Sequence, residues 1–168
     1  MVNNRFRGYY KHSVDPKGRV AIPTAFRRIL PAKTKDELLL NKGRDCTIEV
    51  HPLIEWEQFE NDILLRLSKF SPDPLRLRRS LQASVVPVKL DSQGRILIPK
   101  QYKEYANTKD EVIIAGVGNF FEIWNPKNFE EYQKNASEHF LSDLENIGKY
   151  LDVSKSLNLS DFNNVKPR

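Results

Sequence analysis

The chain is poor in the residues that most enzyme and metal-site chemistry draws on. It has one cysteine and three histidines among 168 residues. The lone Cys46 excludes an intramolecular disulfide. It lies in an apolar run, so a small buried residue is its expected role. His12, His51 and His139 form no motif, and no Cys/His spacing suits a metal. A glycine-rich phosphate loop and a nucleophile elbow are both missing. No apolar run reaches membrane-spanning length, and no charged leader precedes an apolar core at the N-terminus. The expectation is a cytoplasmic protein that is not an enzyme, with no cofactor, no metal, no membrane partner and no small-molecule substrate.

What is present is charge, unevenly placed. The formal net charge is +5. Residues 1–44 hold eleven Lys or Arg against Asp15, Asp36 and Glu37, which makes +8. Residues 110–168 hold six Lys or Arg against ten acids, which makes −4. A basic N-terminal part fits a nucleic acid or an anionic membrane surface.

A repeat organises the chain. Asp15-Pro16-Lys17-Gly18-Arg19 leads into Val20-Ala21-Ile22-Pro23, and 76 residues on Asp91-Ser92-Gln93-Gly94-Arg95 leads into Ile96-Leu97-Ile98-Pro99. Asp at the first position and Gly at the fourth suit a type I turn, and the first copy adds Pro at the second. The Asp side chain can accept N–H groups of its own turn. Strands precede and follow each turn, with Tyr10, His12 and Val14 on one face of the first and Val86, Val88 and Leu90 their counterparts. His12 is therefore expected to pack in the core. Val20, Ile22, Ile96 and Ile98 should point inward, and Arg19 and Arg95 outward at the mouth of the turn.

Short helices are expected over 24–30 and 100–106, after Pro23 and Pro99. Second hairpins follow, Leu38 to Val50 and Glu111 to Trp124. Long helices are expected over 52–70 and 126–150, with a chain break at Ser71-Pro72-Asp73-Pro74 and a short basic helix from Leu75. The domain reading is a first repeat with its trailing helix at 8–70, a second at 84–150 and a flexible polar tail at 153–168. Each repeat alone is too small to enclose a good core, so both are expected to share one.

The aspartate four residues before each arginine can steady the guanidinium and leave its other donors free. A planar fork of N–H groups suits phosphate oxygens or a guanine edge. One isolated copy is most simply an ion pair that pins a hairpin. Two copies beside Arg5, Arg7, Lys11 and Lys17 favour double-stranded DNA. The candidate DNA-binding residues are Arg19, Arg95, Asp15, Asp91, Lys17, Arg5, Arg7 and Lys11. Asp15 and Asp91 as a metal-binding nuclease pair are disfavoured, because each is explained by its turn and no further carboxylates complete a site. An oligomeric scaffold or antitoxin-like protein-binding module, with purely structural Asp–Arg motifs, is the alternative.

At these residues the chain resembles the MraZ family of bacterial transcriptional regulators, within the AbrB-like swapped-hairpin class. Further matches are Ala21-Ile22-Pro23, Glu49-Val50-His51-Pro52 with Trp56-Glu57, Gly94 to Pro99, and Phe121-Glu122-Ile123-Trp124. The resemblance runs from about residue 4 to about residue 150. It implies an α+β fold, a double-split β-barrel built from two pseudo-symmetric repeats and flanked by helices. It also implies a ring-shaped homo-oligomer that is cytoplasmic and nucleoid-associated. Such a protein binds short direct repeats in the promoter of the division and cell-wall gene cluster, usually as a repressor. Arg19 and Arg95 would contact DNA, with Asp15 and Asp91 supporting them. Gln93 stands where the first copy has Lys17, so the copies need not contribute equally.

Overall fold

Each repeat forms the hairpins its pattern predicts, but four of the strand pairings join one repeat to the other. The computed structural model describes residues 5–31 and 37–150. The tail expected at 153–168 lies outside the described residues. The chain divides into two compact units, Met1–Phe129 and Glu130–Arg168.

In the first unit, the first repeat supplies β1 (Tyr9–Ser13), β2 (Arg19–Ala21), α1 (Thr24–Arg27), β3 (Glu37–Lys42), β4 (Ile48–Pro52) and α2 (Leu53–Asp62). A connecting helix, α3 (Pro72–Ser84), begins with Pro72 at its first position, where no N–H is needed. The second repeat supplies β5 (Val86–Lys89), β6 (Arg95–Leu97), α4 (Lys100–Tyr105), β7 (Glu111–Gly116), β8 (Phe121–Trp124) and the start of α5 (Pro126–Tyr150). Among the described residues the second unit is the remainder of α5. No helix among them is long and apolar enough to cross a membrane.

The strands form an antiparallel six-stranded sheet in the order β1-β7-β8-β4-β3-β5, and a separate ribbon of β2 and β6. β1 and β5 are the sheet's edges, so hydrogen bonding does not close it into a barrel among the described residues. Pro87 sits in β5, at an edge where its missing N–H is tolerated. The pairing has an approximate two-fold relation. Tyr10 pairs with Ile114 as Val86 pairs with Leu40. At the sheet centre Glu49 faces Glu122, flanked by Ile48 with Ile123 and Val50 with Phe121. In the ribbon Val20 faces Ile96.

The shared core follows from this exchange. Val20, Ile22, Leu40 and Val50 pack in one cluster with Ile96, Ile98, Ile114 and Ile123. Fully burying each such side chain is worth about 1.5–3 kcal/mol, and the one cluster draws on both repeats. Phe26 and Tyr102 occupy related positions in α1 and α4, both fully buried. The Tyr102 hydroxyl, with its one donor proton, lies within hydrogen-bond reach of the carbonyls of Leu40 and Ser84 and so links α4 to β3 and to the end of α3. On the opposite side of the sheet, Leu39, Trp56 and Leu64 form one small cluster and Ile113, Ala115, Trp124 and Phe129 another.

Several expectations need correction, among them the start of α3, which begins at Pro72 inside the expected break and not at Leu75. Cys46 is exposed, not buried. It lies in a 3-10 turn at the tip of the β3–β4 hairpin, where Asp45 and Cys46 take left-handed φ values of 55° and 57°. The helix expected over 52–70 ends at Asp62, because Ile63 (φ −124°) leaves helical geometry and Leu64 turns under to reach Leu39 and Trp56. α1 stops at Arg27, short of Leu30. His12 is half-buried, and that burial holds its pKa below the usual histidine value.

Glu49 and Glu122 face away from the core. His51 Nε2 lies 3.0 Å from Glu49 Oε2, and Trp124 Nε1 donates to Glu122 Oε2 at 2.9 Å. Burial raises the Glu122 pKa, Glu49 and Asp45 raise it further, and the Trp124 bond opposes them.

Candidate nucleic-acid interface

Both Asp-x-x-x-Arg motifs form the same hairpin turn. Gly18 N–H donates to Asp15 O at 2.8 Å, and Asp15 N–H to Arg19 O at 2.9 Å. The second copy repeats this, from Gly94 to Asp91 O at 2.9 Å and from Asp91 to Arg95 O at 2.8 Å. Gly18 and Gly94 have φ of +82° and +73°. This is a type I turn followed by a left-handed residue, and glycine takes that conformation without a Cβ penalty.

The aspartates do what their spacing suggests. Asp15 Oδ1 accepts the N–H groups of Lys17 and Arg19, each at 2.9 Å, and Oδ2 accepts Arg19 Nε at 2.7 Å. Asp91 Oδ1 accepts those of Gln93 and Arg95, each at 2.9 Å, and Oδ2 accepts Arg95 Nε at 2.8 Å. The backbone N–H of Arg19, chiefly, holds the Asp15 carboxyl below the ordinary aspartate value. For Asp91 the largest cause is the Arg95 side chain. Both turns therefore keep a charged carboxylate at neutral pH.

The ribbon then brings the two motifs to one place. β2 and β6 pair antiparallel, with Arg19 opposite Leu97 and Arg95 opposite Ala21. Ile22 N–H donates to Gly94 O and Ile98 N–H to Gly18 O, both at 2.9 Å, which ties each turn to the strand end of the other copy. Val20 and Ile96 point into the core while Arg19 and Arg95 face out, with side-chain exposures of 32% and 25%. Neither guanidinium is sealed inside.

They are not equivalent. Arg19 is bonded through Nε only, and neither Nη has a partner among the described residues. Arg95 grips Asp91 through Nε and also Nη2, at 2.8 Å, and its Nη1 lies 3.8 Å from Asp15 Oδ2. One carboxylate, Asp15, thus links both arginines.

The other sequence candidates scatter. Lys17 is exposed at the first turn tip. Lys11 lies on β1 and pairs with Glu111 at 2.9 Å. Arg5 and Arg7 flank the buried Phe6, which bridges to Gly118. They sit beyond the opposite end of β1 from the Asp15 turn, and five extended residues span about 17 Å. The structure does not gather them at the ribbon.

It brings in two cations that sequence reasoning passed over. Arg27 on α1 donates to Ile22 O at 3.1 Å and to Thr24 Oγ1 at 3.0 Å. It lies so close over the second turn that a Cβ on Gly94 would stand 2.5 Å from its Nη1. Lys103 on α4 lies over the first turn in the related way, 3.1 Å from where a Gly18 Cβ would be. The readable signal was a cation at the same offset after each motif arginine. Each cation serves the other copy's turn, which no local pattern reveals.

This geometry gathers Lys17, Arg19, Arg27, Arg95 and Lys103 about the two turns, with Lys17 and Arg27 exposed and the other three half-buried. Asp15 and Asp91 are consumed within it by arginine and backbone donors, which leaves them ill-suited to hold a catalytic metal. The comparisons with known proteins agree with the repeat. The profile of a family described as "MraZ protein, putative antitoxin-like" matches residues 5–79 and again 83–147. A protein named Transcriptional regulator MraZ from Oenococcus oeni is 36% identical over 135 residues, 80% of this chain and 91% of the relative. One of the same name from Caldanaerobacter subterraneus subsp. tengcongensis is 38% identical over 146 residues, 86% and 95%. Another, from Treponema denticola, is 31% identical over 142 residues, 84% and 96%.

Proposed function

The chain belongs to the MraZ family, and from that premise we propose that it is a transcriptional regulator that binds duplex DNA sequence-specifically through the β2–β6 ribbon. The observation that carries this reading is the pairing of Arg19 and Arg95 on one exposed ribbon face, each oriented by an aspartate and neither sealed in the core. Guanidinium forks held on a rigid ribbon suit base edges and phosphates. Lys17, Arg27 and Lys103 add charge that phosphates would reward and salt would screen.

The finer parts of the proposal follow from the family resemblance and from physical fit. The targets are short direct repeats in the promoter of the division and cell-wall gene cluster, and the effect is repression. The protein acts in the cytoplasm, at the nucleoid, and is not an enzyme. The exchange of strands between repeats 8–70 and 84–150 supports reading the fold as an AbrB-like double-split barrel. One ribbon touches few base pairs and binds weakly by itself. A head-to-tail ring of copies would meet successive boxes together and gain avidity through effective concentration.

The test is a salt-titrated binding assay on the promoter duplex with its direct repeats, against a scrambled duplex of equal length. Preference for the repeats and a steep fall with salt are expected. Equal, salt-insensitive binding to both would overturn the reading. A scaffold whose arginines only pin turns would bind neither duplex, which would overturn the reading as well.

A further inference from the structure

Leu97 is 53% exposed on the β2–β6 ribbon, beside the arginines of both turns. A solitary surface leucine is ordinary, but the register of this one is not. Leu97 is the direct antiparallel partner of Arg19. Cross-strand partners point to the same face. Leu97 therefore projects beside the arginine whose two Nη groups have no partner among the described residues. On its own strand, Ile96 and the Ile98 that follows turn into the core, at 0% and 1% exposure. Alternation thus fixes Leu97 outward, with Arg95 two residues before it on the same face.

The other copy does not repeat the feature. Ala21 holds the position 76 residues earlier, opposite Arg95. It is half-buried and ends in a single methyl group. The outward ribbon face thus carries two arginines at diagonal corners, an isobutyl group beside Arg19 and a low spot beside Arg95.

A phosphate offers an isobutyl group no partner. Base edges do at one point only. The floor of the major groove displays one apolar group, the C5 methyl of thymine, and that groove admits a two-stranded ribbon. Resting on the DNA-binding role given to the ribbon above, we propose that Leu97 is a specificity-determining residue that packs on the C5 methyl of a thymine. Cross-strand Cβ atoms lie about 4.5–5.5 Å apart and base pairs about 3.4 Å, so that thymine lies one or two base pairs from the group that Arg19 engages. Ala21 reaches less far, and the thymine preference falls on the Arg19 side of the footprint.

The test measures binding of the full chain by fluorescence anisotropy. It uses the repeat-bearing promoter duplex and the same duplex with deoxyuridine for the thymines of the repeats, first all together and then one position at a time. Deoxyuridine keeps the hydrogen-bonding groups of thymine and removes only the methyl. The wild type is expected to bind the thymine duplex at least about fourfold more tightly, the worth of one buried methyl group, with the loss concentrated at one position of each repeat. L97A is expected to bind both duplexes alike, close to the wild type's affinity for the deoxyuridine duplex. L97M, apolar and similar in size, is expected to keep the discrimination. Leu97 is exposed, so melting temperature and light-scattering mass are expected to stay unchanged in both variants. If the wild type does not prefer the repeats over a scrambled duplex, the DNA-binding reading falls and this assignment with it. If that preference holds while thymine and deoxyuridine bind alike, only the assignment falls. It falls too if L97A still discriminates, since another group then reads the methyl. An L97A chain of altered mass and intact discrimination would make Leu97 a contact between copies and overturn the assignment as well.

Discussion

Replacing Arg19 with alanine separates recognition from stability more cleanly than any other change at the ribbon. Arg19 is held at one end only, through Nε to Asp15 at 2.7 Å. A partly exposed ion pair of this kind is worth up to about 1 kcal/mol. The turn itself survives, because Asp15 Oδ1 still accepts the backbone N–H groups of residues 17 and 19. A loss of that size lowers the melting temperature of a chain this long by roughly 2–4 °C. On DNA the same change removes both unpartnered Nη groups. Losing one arginine contact to a base or phosphate costs about 1–3 kcal/mol, or roughly 5- to 150-fold in Kd. Arg95→Ala should cost less, because Arg95 already spends two nitrogens on Asp91. The assay is fluorescence anisotropy on the repeat-bearing duplex between low and physiological salt, with melting followed in parallel. If Arg19 contacts phosphate, the salt slope falls by about one unit per lost contact. If it reads a base, the slope holds and preference over scrambled DNA shrinks. Wild-type affinity, slope and preference in both variants would refute the mechanism. Affinity that falls only in step with the folded fraction would refute it equally.

Three further outcomes follow from the same geometry. The Asp15 and Asp91 pKa values are depressed in the folded state, so their stabilising effect is present above the ordinary aspartate value and is lost as pH falls through the depressed values; Asp15→Asn should flatten that acid limb of a stability-versus-pH curve, and an unaltered limb would count against the pairing. Gly94→Ala should cost about 1–2 kcal/mol for the left-handed backbone alone and displace Arg27, measured as a lower melting temperature together with weaker DNA binding; an unchanged melting temperature would contradict the turn geometry. The Glu122 pKa is raised, so its ionisation opposes folding above that raised value and the penalty fades as pH falls through it. Glu122→Gln, which can still accept from Trp124, should therefore raise the melting temperature at neutral pH and lose that advantage in acid, and thermal scans across pH would expose the opposite trend.

How far the sequence speaks depends on whether a feature is local. The Asp-x-x-Gly-Arg turns, the inward Val20 and Ile96 and the outward Arg19 and Arg95 are all set within a few residues, and all are legible. Partner choice between strands is not local. β1 has the alternation of a half-buried strand whether it pairs within its repeat or, as here, with β7. Cys46 misleads because its apolar neighbours read as strand while Gly43 to Cys46 make a tip. Ile63 misleads because it continues the helical stripe of α2, and only the pull of Leu64 towards Trp56 breaks it. The approach of Arg27 to Gly94 depends on the exchange itself. So does the sharing of Asp15 by two arginines.

Covalent fusion of the two ribbon strands frees them to differ. A dimer of single-repeat chains would present identical arginines related by a true dyad, and its ideal site would read the same from either strand. Here Lys17 faces solvent on one tip and Gln93 on the other, and Arg19 has more idle donors than Arg95. The unit therefore has a front and a back. On the proposed DNA-binding reading, a unit with polarity would suit sites that all point one way, and a palindrome would set one half of every site against its grain.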